Sequence, residues 1–157
     1  VVLPNPVDLF GPMGRLTTSV LESIGNKVEL VDVDWGTLLQ RRANRGPAES
    51  GGWNIVHSFW TGLSIANPVE NLPIRGQGET GWPGWYRSEK MEALVSRGAN
   101  AASEAEQAAI AAETQKLAFE EVPSVSTGVY YEHSAHPRSI QGVITAPATP
   151  MWNVRPS

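Results

Sequence analysis

The apolar positions of this chain change their spacing several times, and each change predicts an element. Leu16, Val20 and Ile24 recur every four residues with Leu21 beside them, which predicts a helix over about 12–24 that packs on this ridge. Gly25 follows where a helix C-cap belongs. "NKVELVDVDW" then alternates: Val28, Leu30 and either Val31 or Val33 point inward, with Lys27, Glu29, Asp32 and Asp34 between them, as in a strand. "WGTLLQRRA" returns to helical spacing. It carries Leu38 and Leu39 inward, and Arg41 and Arg42 near its C-terminal end, where positive charge suits the helix dipole. "NRGPAESGG" is a loop by composition, and "WNIVHSFW" after it reads as a strand with Ile55 and Val56 in the core.

From Thr61 to Trp85 the chain is rich in Gly, Pro, Asn and Trp and has no period, and a loop this long inside a domain is usually functional or covers something. Two helices follow. "SEKMEALVSRG" takes Ser88 as N-cap and turns Met91, Leu94 and Val95 inward. "SEAEQAAIAAETQKLAFEEV" has Ser103 and Glu106 as a capping box, packs on Ile110, Leu117 and a band of alanines, and stops at Pro123. "SVSTGVYYE" and "SIQGVITA" read as strands. The order, roughly βαβαβ–loop–ααββ, predicts an α/β fold with a mixed sheet flanked by helices. The Pro-rich stretches Leu3 to Pro12 and Ala146 to Ser157 read as connections, and with Val1 in first place they raise the expectation of a piece of a longer protein.

Composition narrows the functional classes. The 157 residues, 41% of them hydrophobic and 18% charged, are in the range of a soluble globular domain, and no run approaches the ~20 apolar residues that cross a bilayer. A net charge of −4 argues against nucleic acid, which wants a basic face. Cysteine is absent, which removes disulfides, thiolate chemistry and Cys-ligated zinc.

Few motifs suggest catalysis. "GQGETG" (Gly76 to Gly81) has the spacing of a dinucleotide fingerprint but lacks the strand before it and the helix after it, so it reads as a loop. "EHSAH" sets His133 and His136 three apart beside Glu132, on a segment that runs into Pro137, and a surface turn is the better reading than a metal site. Asp32 and Asp34 fall on the outer face of their strand, and no "GxSxG" elbow is present. The tryptophans stand out instead: five of the six lie between positions 35 and 85. Beside a long irregular loop, such a cluster is compatible both with core packing and with an apolar pocket holding a few polar groups.

Four segments together resemble the C-terminal part of the family 5 extracellular solute-binding proteins, the dipeptide/oligopeptide-binding type that serves ABC importers. "LTTSVLESIGNKVELVDVDWGTLLQRR" is similar to the family's "(L)xxIGxxVELxxVDWxTxLxRR", and "GGWNIVHSFWTG" to its "(G)xWDxxxxxWxG" strand. "GWYRSEKMEALVSRGANAASEAEQAAIAAETQKLAFEEVP" resembles its helix pair, and "VYYEHSAHPRSIQGV" to "MWNV" its closing strands. The resemblance implies one lobe of a two-lobed, hinge-closing periplasmic-binding-protein-like fold. Residues 1–145 would be part of the C-terminal lobe and 146–157 a return segment toward the other lobe. It implies ligand capture without catalysis, in the periplasm or at the cell surface, with ABC permease subunits as partners and no cofactor or metal. A sensory or regulatory module on the same fold is the alternative.

By the same resemblance, Trp35 lines the cavity, Arg42 or its neighbour Arg41 meets ligand carboxylates, and His57 is another basic residue facing the ligand. Phe59, Trp60, Thr61 and Gly62 border the pocket, and Tyr130 and Tyr131 approach it from the closing strand. Peptide-binding members place an aspartate just after the turn to hold an α-ammonium, whereas this chain has Leu63. A buried ammonium without a counter-charge is costly, so the expected ligand is a peptide or another small solute, with this departure counting against an ordinary peptide unless Glu70 or Glu79 substitutes.

Overall fold

In the computed structural model, which describes residues 1–4, 10–131, 133, 135–146 and 150–157, strand β1 (Val2–Pro4) lies between two parallel neighbours. On one side β2 (Val31–Val33) pairs with it, Val2 opposite Val31 and Pro4 opposite Val33; on the other, Val56 forms a single parallel bridge to Val2. Helices α1 (Phe10–Ser23) and α2 (Trp35–Arg41) connect and flank this small sheet, and both pack on β1. The element order is α/β, and these parts belong to the first of two units, residues 1–59. Its core is Val2, Phe10 and Leu38, with Leu38 completely buried.

Local chemistry explains the ends of these helices. The Gly25 N–H donates to the Glu22 carbonyl and the Asn26 N–H to the Leu21 carbonyl, a Schellman closure that Gly25 permits at φ +89°. Asp34 leaves β2 and caps α2: its carboxylate accepts from the Thr37 N–H at 3.0 Å and from the Thr37 hydroxyl at 2.5 Å. These bonds hold the Asp34 carboxyl below its ordinary value. The spacing D-x-x-T is thus a helix start as well as the end of an alternating strand.

Several expectations are corrected in this unit. The ridge expected to bury α1 is exposed, with Leu16, Val20 and Ile24 at 66%, 54% and 71% of full accessibility; α1 buries Phe10 and Gly14 instead. A four-residue repeat identifies a helical face, but whether that face is buried depends on what lies against it. Phe10, in a stretch expected to be a connection, is a core residue. Leu38 is buried as expected while Leu39 is 37% exposed. Among the described residues, the strand expected over "WNIVHSFW" is reduced to the bridge at Val56, where the Ile55 carbonyl and the His57 N–H pair with Val2 of β1.

The second unit, residues 60–157, is built on an antiparallel hairpin of α4 (Glu89–Ala99) and α5 (Glu104–Glu121), after the single turn α3 (Gly62–Ile65). Met91 and Val95 of α4 and Ile110 and Thr114 of α5 are buried. The caps are those the sequence predicts: the Met91 N–H donates to the Ser88 hydroxyl, and the Glu106 N–H to the Ser103 hydroxyl. The Glu106 carboxylate reaches back to the Ala102 N–H, one residue earlier than a capping box requires.

The long segment before α4 is irregular but pinned. Its 3₁₀ turns span Leu72–Ile74 and Gly78–Thr80, and Gln77 pairs with Arg87 in an antiparallel bridge. Arg75 donates to both oxygens of Glu92, at 2.9 and 2.7 Å, and to the Val69 carbonyl at 2.8 Å. The Gly76 N–H adds a fourth bond, to Glu92 Oε1, at 2.8 Å. Bidentate charge-assisted bonds of this kind are about twice as strong as neutral ones, so one carboxylate on α4 organises two loop residues. Beyond α5, β3 (Ile140–Gln141) and β4 (Arg155–Pro156) pair antiparallel. No strand forms over the described residues of "SVSTGVYYE", and Glu132 lies outside the described residues. The expected return segment and the "EHSAH" motif also fall partly outside them, at 147–149 and at 132 and 134.

Candidate functional site

The predicted site residues divide between the two units, and each group has its own geometry. In residues 1–59, three aromatic rings form a chain: Phe59 lies 5.4 Å from Trp35 and 5.9 Å from Phe10, at interplanar angles of 38° and 42°. Phe10 is the buried anchor, Trp35 is half-buried, and Phe59 is 43% exposed. Tilted pairs at these separations favour the aromatic quadrupole, so the cluster presents one ring to its surroundings from a rigid base. Trp35 is placed by the first turn of α2 and therefore by the Asp34 cap. The anchor Phe10 was not legible as part of this cluster, because nothing local to it signals a partner forty-nine residues away.

His57 behaves differently from its expected role. It is 7% exposed and its Nε2 lies 3.1 Å from the Thr17 hydroxyl of α1, so its ring is part of the interior. Burial lowers its pKa from the ordinary 6.5. The unfolded chain therefore takes up the proton first: stability is fully present above about pH 6.5 and declines as pH falls through that value toward the lowered folded one. Glu92, held below its ordinary 4.5 chiefly by the Arg75 hydrogen bonds, gives the second unit an acid sensitivity at lower pH. We expect thermal melts between about pH 7.5 and 5.5 to show a loss that His57→Gln reduces. An unchanged pH dependence in the variant would assign the loss to other groups.

Arg41 and Arg42 are both partly buried at the end of α2. One amine of Arg41 approaches the Gly52 carbonyl at 3.4 Å, while its Nε is buried without a partner among the described residues. Arg41 borders a shallow cavity of about 290 Å³ together with Thr37, Gln40, Asn44 and Gly51. The Arg42 carbonyl accepts the Trp53 indole N–H at 3.0 Å, which satisfies the polar atom of that tryptophan.

In residues 60–157, Trp60 packs edge-on against Trp82, with ring centres 4.7 Å apart. Thr61 is the N-cap of α3, accepting from the Ser64 N–H at 3.3 Å, so its side chain is engaged locally. Gly62 opens that helix, and Leu63 beside it is 63% exposed. Tyr130 and Tyr131 are exposed, Tyr131 at 87%. A cavity of about 380 Å³ in this unit is walled by the Gly76–Thr80 turn with Arg87, Glu89 and Glu92. Of the residues the sequence singled out, Glu79 borders it and none of the tryptophans does.

Among the described residues, no group of three metal-binding side chains comes together and no helix is long and apolar enough to cross a membrane. No protein-family model matches the chain. The alignable region nevertheless extends over most of it. Across 141 residues, which are 90% of this chain but about a quarter (27%) of the relative, the sequence is 32% identical to the probable peptide ABC transporter periplasmic-binding protein y4tO of Sinorhizobium fredii.

Proposed function

We propose that the chain is part of the solute-binding component of an ABC importer, of the family 5 type, which captures a small solute outside the cytoplasm and delivers it to the permease. The observation that carries this reading is the similarity to a periplasmic-binding protein over nine-tenths of the chain. In this reading residues 1–145 belong to one lobe of a two-lobed protein and 146–157 return toward the other. The protein binds and releases its ligand unchanged.

The ligand-facing groups in the proposal are aromatic first. Phe59 offers a supported, partly exposed ring, and Trp60 offers one in its own unit; Trp35, Arg41 and Arg42, Thr61 to Leu63, Tyr130 and Tyr131 complete the set. His57 is the weakest member, because its ring is committed to Thr17. Leu63 in place of an acid favours a solute with an apolar or sugar-like face over one that leads with an ammonium group.

Native mass spectrometry of the protein carrying this chain, purified without denaturation, tests the reading directly by detecting a retained ligand. With that ligand in hand, Trp60→Ala is expected to weaken affinity by about 10-fold or more, some 1.4 kcal/mol, while the melting temperature falls only slightly. A large loss of melting temperature with unchanged affinity would make Trp60 a packing residue.

A further inference from the structure

The loop that carries Trp82 is closed on itself and tied to both helices of the hairpin. Across its neck the Gly78 N–H donates to the Tyr86 carbonyl at 2.8 Å and the Ser88 N–H to the Gly76 carbonyl at 3.1 Å, on either side of the Gln77–Arg87 bridge. At its tip the Trp85 N–H donates to the Trp82 carbonyl at 2.9 Å, with Gly84 at φ 117° and Trp85 at φ 53°. A bulky residue at positive φ is uncommon and persists where its surroundings hold it. Residues 76–88 therefore form a compact loop with its ends together. The Tyr86 hydroxyl donates to the Glu121 carboxylate at the end of α5. Toward α4 the tie is charged. The cavity of about 380 Å³ is bordered by residues 76–80 and by Glu89 and Glu92, and it is the Glu92 carboxylate that reaches Arg75 and the Gly76 N–H. Both partners of this ion pair are partly buried, so salt screens it less than an open surface pair.

We propose that Glu92 is a positioning residue for solute binding: through Arg75 and Gly76 it holds the 76–88 loop, whose Trp82 ring sets the orientation of the Trp60 ring. The inference rests on the reading above in taking Trp60 to face the solute. The edge-on contact with Trp82, 4.7 Å between ring centres at 61°, fixes the plane in which Trp60 is presented. Trp60 itself stands on irregular backbone just before the single turn α3, so the neighbouring ring orients it where no helix or strand does. A ring already held in its bound orientation loses less freedom on binding, and that saving appears as affinity. Glu92 contributes from a distance, because its oxygens are engaged by the loop and need no contact with solute.

Fluorine NMR of the complete gene product, labelled with 5-fluorotryptophan, tests this. The Trp60 resonance is assigned by its loss in Trp60→Phe, and Trp82→Leu gives its position without the second ring. In Glu92→Ala the Trp60 resonance is expected to move most of the way to that position while the Trp35 resonance stays. Retention of the small molecule that co-purifies with the wild type, read by native mass spectrometry after equal dialysis, is expected to fall by about 10-fold. Glu92→Gln keeps an acceptor for the Gly76 N–H and is expected to fall between; it carries the test if the alanine variant does not fold. Glu89→Ala, on the same cavity, is the control and leaves both readings at the wild-type level. An unmoved Trp60 resonance in the Glu92 variants would overturn the proposal, as would a moved resonance with full retention. A wild-type protein that carries no small molecule would sink the transport reading, while the resonance still decides whether Glu92 positions Trp60.

Discussion

Leu38→Ala is expected to destabilise residues 1–59 by about 2–5 kcal/mol, the range for removing a large aliphatic side chain from a core. Leu38 is completely buried in α2, a helix of seven residues too short to persist without its packing face. Alanine is the better helix former, so the loss isolates the core contribution from helix propensity. The neighbouring Leu39→Ala is the control: at 37% exposure it removes much less from the interior. Denaturant titrations of both variants, with α-helical dichroism as the signal, read the difference as a shift in midpoint at unchanged slope. Equal shifts would mean that α2 packs on both leucines, as the sequence pattern alone suggests.

Gly52→Ala is expected to be comparably severe for a different reason. A Cβ at Gly52 would stand 1.8 Å from the Gly46 carbonyl oxygen and 2.9 Å from that of Pro47, and neither backbone atom can rotate away. The Gly52 N–H donates to the Pro47 carbonyl, and its own carbonyl accepts from Arg41, so displacement opens both. Overpacking costs about 1–3 kcal/mol where side chains can adjust and more where the obstruction is backbone. Gly62→Ala is the matched control, because a Cβ there meets nothing within 4 Å. The expected result is a Gly52→Ala protein that loses about 3 kcal/mol or more beside a Gly62→Ala protein near wild type. Similar melting curves for the two would show that the 46–52 turn yields.

The parts of this fold that the sequence announces are those decided within a few residues. Gly25, Ser88 and Ser103 sit at helix ends because a left-handed turn or an orphan N–H asks for those side chains locally. What could not be read depends on a neighbour remote in sequence. The 16/20/24 ridge has the spacing of a packed face yet is exposed, and "WNIVHSFW" has the composition of a strand yet pairs only around Val56. The candidate site follows the same division. Trp35 and Trp60 were identifiable as part of an unusual tryptophan cluster and Phe59 through the family resemblance, but the contacts with Phe10 and Trp82 were not, and His57 proved to be held by a threonine on α1. Asp34 was legible in principle, since Thr37 three residues later marks a cap, but alternation with Asp32 masked it.

The Trp60–Trp82 pair also has an optical consequence. Two indoles 4.7 Å apart at 61° couple their electronic transitions, which produces paired circular-dichroism bands of opposite sign on top of the helical spectrum. Helix content taken from that spectrum would be distorted, so the aromatic component has to be subtracted with a Trp82→Phe reference. The same couplet is a label-free reporter confined to residues 60–157: it vanishes when the two rings separate, whatever happens around Trp35.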